Sequence, residues 1–90
     1  MEFEKEKVEE FLLLFKEYYP IISSFEGCSH LELLQDENQS NIFFTYSIWK
    51  DESYLNKYRD SEIFGLVWSK TKPLFNTKAA AWSVNKKYPN

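Results

Sequence analysis

The sequence predicts an α+β fold, and three observations carry that reading. Apolar residues recur every three or four positions near the start, two alternating runs flank a polar turn in the middle, and a second helical stretch precedes a short apolar run near the end. Between Lys5 and Phe25 the apolar positions Val8, Phe11, Leu12, Phe15, Tyr18, Ile22 and Phe25 fall on one helical face, with Glu and Lys between them. Pro20 has no amide hydrogen and crowds the preceding turn, so a kink or a fresh turn running to Phe25 is expected there. Glu26-Gly27 ends the segment.

From Cys28 to Gln35 the period changes to two: Leu31 and Leu33 point one way, and Cys28, His30, Glu32 and Leu34 the other. Asp36 to Asn41 is a polar turn, and Ile42 to Trp49 follows as the strongest strand signal in the chain, so the two runs predict a β-hairpin. Both faces of the second strand are bulky. Helices can cover one; the other calls for a second layer, most economically a partner copy. Asp51 is placed to cap a short helix carrying Tyr54, Leu55 and Tyr58. Asp60 or Ser61 can cap the next, in which Phe64, Val67, Trp68, Thr71 and Phe75 trace one face up to Pro73. Ala79 to Val84, with Trp82, reads as a final strand, and Asn85 to Asn90 as a polar tail.

Ninety residues predict one domain over 1–90, with a core of about 3–84. Eight Phe, six Tyr and three Trp exceed what so small an interior can absorb, so part of that aromatic surface is expected to line a pocket or a subunit interface. A net charge of −3 gives no electrostatic basis for binding nucleic acid, and the acidic start and lysine-rich last third read as solvated faces. The longest uninterrupted apolar run, Phe11 to Phe15, is too short for a membrane span or for the core of an export signal. Cys28 is the only cysteine, which rules out an internal disulfide or cysteine-cluster zinc and predicts a reducing, cytoplasmic setting.

The order helix, strand, strand, helix, strand is the ferredoxin-like βαββαβ pattern without its first strand. The stretches Gly27-Cys28-Ser29-His30-Leu31-Glu32-Leu33-Leu34, Phe44-Thr45-Tyr46-Ser47-Ile48-Trp49, Tyr58-Arg59-Asp60-Ser61-Glu62-Ile63-Phe64 and Trp68-Ser69-Lys70-Thr71-Lys72-Pro73-Leu74-Phe75 resemble the antibiotic biosynthesis monooxygenase family, as does Lys78-Ala79-Ala80-Ala81-Trp82-Ser83-Val84. The resemblance runs in register over about residues 3 to 84. It implies a homodimer, a dimeric α/β barrel in which two sheets pack face to face, with a small pocket between sheet and helices in each subunit. It also implies oxidation of a quinol or phenol by molecular oxygen with no metal or flavin, although other members degrade haem and many have no assigned reaction. One departure stands out: Met1 to Glu4 runs almost directly into helical sequence. Either the first strand is a stub around Glu2 to Glu4, or the natural start lies upstream.

His30 is the one side chain with an ordinary pKa near neutrality, which makes it the candidate catalytic base; the alternative is a histidine held on the sheet for structural reasons. Cys28 shares its predicted face but, with strand neighbours i and i+2 roughly 6.5 to 7 Å apart, is better read as a small buried hydrophobe than as a nucleophile. Trp49, Tyr58, Trp68 and Trp82 are candidates for holding a flat phenolic substrate, with Tyr46, Tyr58 or Arg59 as hydrogen-bond donors to its anion; core packing, and for Arg59 a surface pair with Glu62, are the competing roles. In the haem-degrading branch the resemblance puts an iron-ligating histidine at the position of Trp68 and a tryptophan at that of Tyr58. Both differ here, and the first-strand asparagine of those relatives has no counterpart, which argues against haem. The scattered acids and single histidine make no metal centre, and Gly27 and Gly65 form no phosphate loop. The expectation is a cofactor-free oxygenase acting on a small aromatic ligand; the alternative is a non-enzymatic dimeric module that binds such a ligand or only itself.

Overall fold

Helix α1 (Val8–Ser23), entered through a 3-10 turn at Lys5–Lys7, buries Phe11, Tyr18 and Ile22, the face that the apolar spacing selects. The computed structural model describes residues 1–76 together with 84 and 87, so the predicted Ala79–Val84 strand apart from Val84, its Trp82 included, and the 85–90 tail apart from Lys87 lie outside the described residues. Pro20 neither ends nor restarts α1: the helix continues for another turn. Proline removes the donor to the Lys16 carbonyl, and Lys16 and Pro20 are both exposed, so water can satisfy the freed oxygen. Leu12 departs from the predicted core, because it sits beside Leu13 on the outer side of the helix, 41% exposed.

The hairpin forms as the alternation predicts. Strand β1 (Cys28–Gln35) pairs antiparallel with β2 (Phe43–Trp49), Leu31 opposite Ser47 and Leu33 opposite Thr45. In the turn between them, the Asp36 carboxylate accepts hydrogen bonds from the amides of Asn38 and Gln39, both at 2.9 Å. Gly27 leads into β1 at φ +87°, with the Tyr54 side chain packed where a β-carbon would project, so only glycine suits the position.

The pairing slips between Cys28 and His30, where a bulge at Ser29 breaks strict alternation. The expectation that Cys28 shares the face of His30 is therefore corrected: Cys28 packs inward against Tyr18, Ile22 and Leu31. Helix α2 (Glu52–Arg59) is capped by Asp51, whose carboxylate accepts from the Ser53 amide at 2.9 Å. Helix α3 (Glu62–Thr71) is capped by Ser61 rather than Asp60. The Ser61 hydroxyl accepts from the Phe64 amide at 3.2 Å and donates to the Tyr58 carbonyl at 2.6 Å, joining the two helices.

The chain order is that of a ferredoxin-like α+β fold whose first strand is reduced to single bridges, Glu2 with Ile42 and Phe3 with Phe75. That stub is held from both sides. The Phe43 amide donates to Met1 O at 2.8 Å, the Glu4 amide to Leu74 O at 3.0 Å, and the buried Asn41 side chain to Phe3 O at 2.9 Å. Phe3, with no exposed surface, stacks on Phe11 at 4.0 Å and meets Phe43 and Phe75, forming one half of the core with Leu74. Tyr18, Ile22 and Leu31 form the other half, and Leu14 and Phe15 touch both.

Among the described residues the opposite sheet face carries no helix. Leu34, Phe44, Tyr46 and Ile48 lie there 43 to 48% exposed, the bulky second face expected from the sequence.

Candidate functional site

A cavity of about 180 Å³ lies between the inner sheet face and the three helices. Helix α1 supplies Phe11, Phe15 and Tyr18; the sheet supplies Leu31, Thr45, Ser47 and Trp49. Leu55 and Tyr58 come from α2, and Phe64, Val67, Trp68 and Thr71 from α3. Each set follows from a local period: every second residue of β2 points inward, and three- and four-residue steps bring Phe64, Val67, Trp68 and Thr71 to one side of α3. Beyond Phe43 the outer edge of β2 carries no strand among the described residues, and Thr45 and Ser47 are exposed.

Of the residues the sequence singled out, the cavity brings together Trp49, Tyr58 and Trp68. Tyr58 is central. Its ring stacks on Trp49 (centroids 5.4 Å, 21° between planes) and meets Phe25 and Phe64 edge-on at 5.0 and 5.1 Å. Burial penalises the phenolate, and with Cys28 also near, the Tyr58 hydroxyl is pushed up to about 12; at neutral pH it is a donor, not a base. Trp68 lies parallel to Phe64 at 6.5 Å and edge-on to Phe75 at 5.5 Å.

The raised value has a thermodynamic consequence. A phenol that ionises near pH 10 in the unfolded chain and near 12 in the folded one stabilises the fold fully below pH 10, and that contribution is lost as pH rises through 12. The urea midpoint should therefore fall between pH 9 and 11 more steeply in the natural protein than in Tyr58→Phe, which lacks the group; equal slopes would show that Tyr58 is not desolvated.

The other candidates lie elsewhere. His30 projects from the outer face, its Nε2 against a Glu32 carboxylate oxygen and its ring edge-on to Tyr46 at 5.8 Å. The sheet separates both His30 and Tyr46 from the cavity, because from His30 onward the strand alternates regularly and places His30 with Glu32, opposite Leu31. Arg59 is exposed on α2, outside the cavity lining and unpaired with Glu62. Among the described residues no group of three or more His, Cys, Asp or Glu could hold a metal ion, and no helix is long and apolar enough to cross a membrane.

Sequence reasoning missed Tyr18, Thr45, Ser47 and Thr71 as cavity residues. Thr45 and Ser47 carry a legible signal: small polar residues at the inward positions of a strand whose outward positions are Phe44, Tyr46 and Ile48. Tyr18 carries none, since the spacing that places it in the core does not reveal that Lys70 Nζ will donate to its hydroxyl at 2.8 Å from α3. That hydrogen bond, followed by the charge of Tyr18 and of Glu17, raises the Lys70 pKa.

The sequence profile of the antibiotic biosynthesis monooxygenase family matches residues 1–66. A search of the curated proteins finds no match. Among solved structures, the chain is similar to a conserved protein from Methanosarcina mazei Go1, with a TM-score of 0.81 at 25% identity over 86% of this chain and 76% of that one. It is also similar in fold to PA3566 from Pseudomonas aeruginosa, with a TM-score of 0.74 at 18% identity over 86% of this chain and 78% of that one.

Proposed function

This chain belongs to the antibiotic biosynthesis monooxygenase family, and from that premise we propose that it oxidises a quinol or phenolic small molecule with molecular oxygen in the cavity beneath Trp49, Tyr58 and Trp68. The observation that carries the reading is that these three rings, chosen from sequence for holding a flat substrate, line one apolar cavity. For a quinol the reaction balances without outside electrons: quinol and O₂ give a hydroxyquinone and water, one oxygen atom entering the ring. The chain's part is to hold the ring, exclude water from most of its surface, and donate the Tyr58 hydroxyl proton in a hydrogen bond to the developing phenolate. The phenol proton exchanges with solvent past Thr45 and Ser47 and is returned when the O–O bond breaks and the second oxygen atom leaves as water.

His30 was the candidate base, and in that role it would need a ligand seated on the outer sheet face; a cavity ligand has the sheet in between. No flavin, metal or haem takes part in this proposal. Haem does not suit these residues, because Trp68 lines the cavity where the haem-degrading relatives place their ligand, an indole cannot bind iron, and His30 faces away. We place the protein in the cytoplasm as a homodimer joined through the outer sheet face. The lone cysteine supports the first and the apolar row of Leu34, Phe44, Tyr46 and Ile48 the second.

Oxygen uptake with a panel of hydroquinones tests the reaction. The expected result is one O₂ consumed per quinol without accumulating hydrogen peroxide, a rate at least tenfold lower in Tyr58→Phe, and a rate preserved in His30→Ala. Loss of turnover in His30→Ala with turnover kept in Tyr58→Phe would move the site to the outer face. No uptake by any panel member would leave the ligand-binding module as the function, a second reading favoured by the absence, among the described residues, of histidine, carboxylate and lysine side chains from the cavity lining.

A further inference from the structure

We propose that the cavity selects an uncharged, single-ring phenol or quinol, held by the hydroxyls of Tyr58 and Thr45 and bounded in size by Trp68, and rejects both fused-ring and carboxylated aromatics.

Volume sets the ring count. The cavity measures about 180 Å³, and an apolar cavity of about 150 Å³ accommodates benzene. The difference leaves room for a few substituent atoms on one ring; a second fused ring would have to displace a wall. The wall at the α3 side is Trp68, whose indole is fixed by contact with both Phe64 and Phe75.

Charge sets the second exclusion. Among the described residues no side chain lining the cavity ionises apart from Tyr18 and Tyr58, and the ammonium of Met1, which also joins the lining, already donates to the Phe43 carbonyl at 2.8 Å, so a carboxylate brought inside would lose its water and meet no cationic side chain. Lys70 comes nearest, but its ammonium is exposed and engaged with the Tyr18 hydroxyl.

Hydrogen-bond accounting then picks the orienting groups. The Thr71 hydroxyl donates to Val67 O at 2.7 Å, the Ser47 hydroxyl accepts from the Trp49 indole at 3.0 Å, and the Tyr18 hydroxyl accepts from Lys70. Among the described residues the Tyr58 and Thr45 hydroxyls have no such partner; the Trp68 indole N–H is a further unpaired donor and Ser47 and Tyr18 each keep one O–H, but Tyr58 and Thr45 are the two hydroxyls whose donor and acceptor sites are all open to a ligand. Tyr58 reaches the cavity from the helical side and Thr45 from the sheet, an arrangement suited to a ring with oxygens at opposite ends.

The proposal rests on the oxidation reading only for the location of the site, and binding without oxygen separates the two. Under anaerobic conditions, quenching of tryptophan fluorescence by hydroquinone, 1,4-naphthohydroquinone and 2,5-dihydroxybenzoate gives three dissociation constants. Hydroquinone is expected to bind at least tenfold more tightly than the other two. Tyr58→Phe and Thr45→Val, which keep shape and remove only a hydroxyl, should each weaken hydroquinone about fivefold or more with the urea midpoint of the second changed little. Trp68→Ala should reverse the ranking by admitting the naphthohydroquinone, a gain that mere loss of packing cannot produce. Equal affinity for all three ligands, no binding of hydroquinone, or a Trp68→Ala protein that still rejects the fused ring would overturn the proposal. Tight, selective hydroquinone binding with no aerobic oxygen uptake would instead retire the oxidation reading and leave this one in place.

Discussion

Ile48→Asp should turn the protein from dimer to monomer at micromolar concentration, with a rise in the dimer dissociation constant of about a thousandfold or more. Ile48 lies with Tyr46 and Phe44 on one face of β2, all three more than two-fifths exposed, and Leu34 extends the patch on β1. A face of this kind is rare on an isolated small domain, because apolar surface left in water forgoes about 25 cal/mol for each Å² that could be covered. In a two-fold symmetric pair each substitution counts twice. Loss of about 2 kcal/mol per Ile, doubled, reaches about 4 kcal/mol before the desolvation of two carboxylates is added, which corresponds to about three orders of magnitude in affinity. Sedimentation velocity across a concentration series reads the effect directly. Leu13→Asp is the control: Leu13 is 64% exposed on α1, away from the sheet, and its substitution should leave the dimer intact. A natural protein that sediments as a monomer at tens of micromolar would refute the proposed interface, as would a variant that stays dimeric.

Phe3→Ala should cost about 3 to 5 kcal/mol of folding stability, a large share of the roughly 5 to 15 kcal/mol that a small domain has in total. The side chain is fully buried, stacked on Phe11, and in contact with Phe43 and Phe75. It also anchors the stub that stands in for the first strand, with its amide and carbonyl both tied to Asn41. A urea titration should show a lower midpoint with little change of slope, because the surface exposed on unfolding is nearly the same. A loss below about 1 kcal/mol would mean that the stub contributes little to the core.

These two residues mark different levels of legibility. The bulky outward row of β2 could be read from the sequence, since a period of two assigns Phe44, Tyr46 and Ile48 to one face whatever the rest of the chain does. Phe3 could not, because a two-residue bridge has no period, and its burial depends on the Lys72–Leu74 turn and Asn41 arriving from distant parts of the chain. Asn41 looked like one more polar turn residue; its partner is 38 positions away.

The candidate site divides the same way. Trp49, Tyr58 and Trp68 were identified as aromatic candidates and do meet in one cavity, because large rings on the inner faces of a hairpin and two helices have few other places to pack. His30 and Cys28 were assigned a common face, and one extra residue at Ser29 separates them.

The sequence by itself determined the helices, the hairpin, the cap at Asp51, a cap at Asp60 or Ser61, and the surplus of aromatic rings, since each rests on interactions within a few residues along the chain or on strict alternation. Only the tertiary structure decided that α1 runs on through Pro20, which side of the sheet holds the cavity, that Tyr58 is desolvated into a donor, and that Cys28 turns inward away from the face of His30. Those outcomes depend on which distant side chains exclude water from a group and on a single bulge that shifts the phase of a strand, and neither leaves a periodic trace in the order of residues.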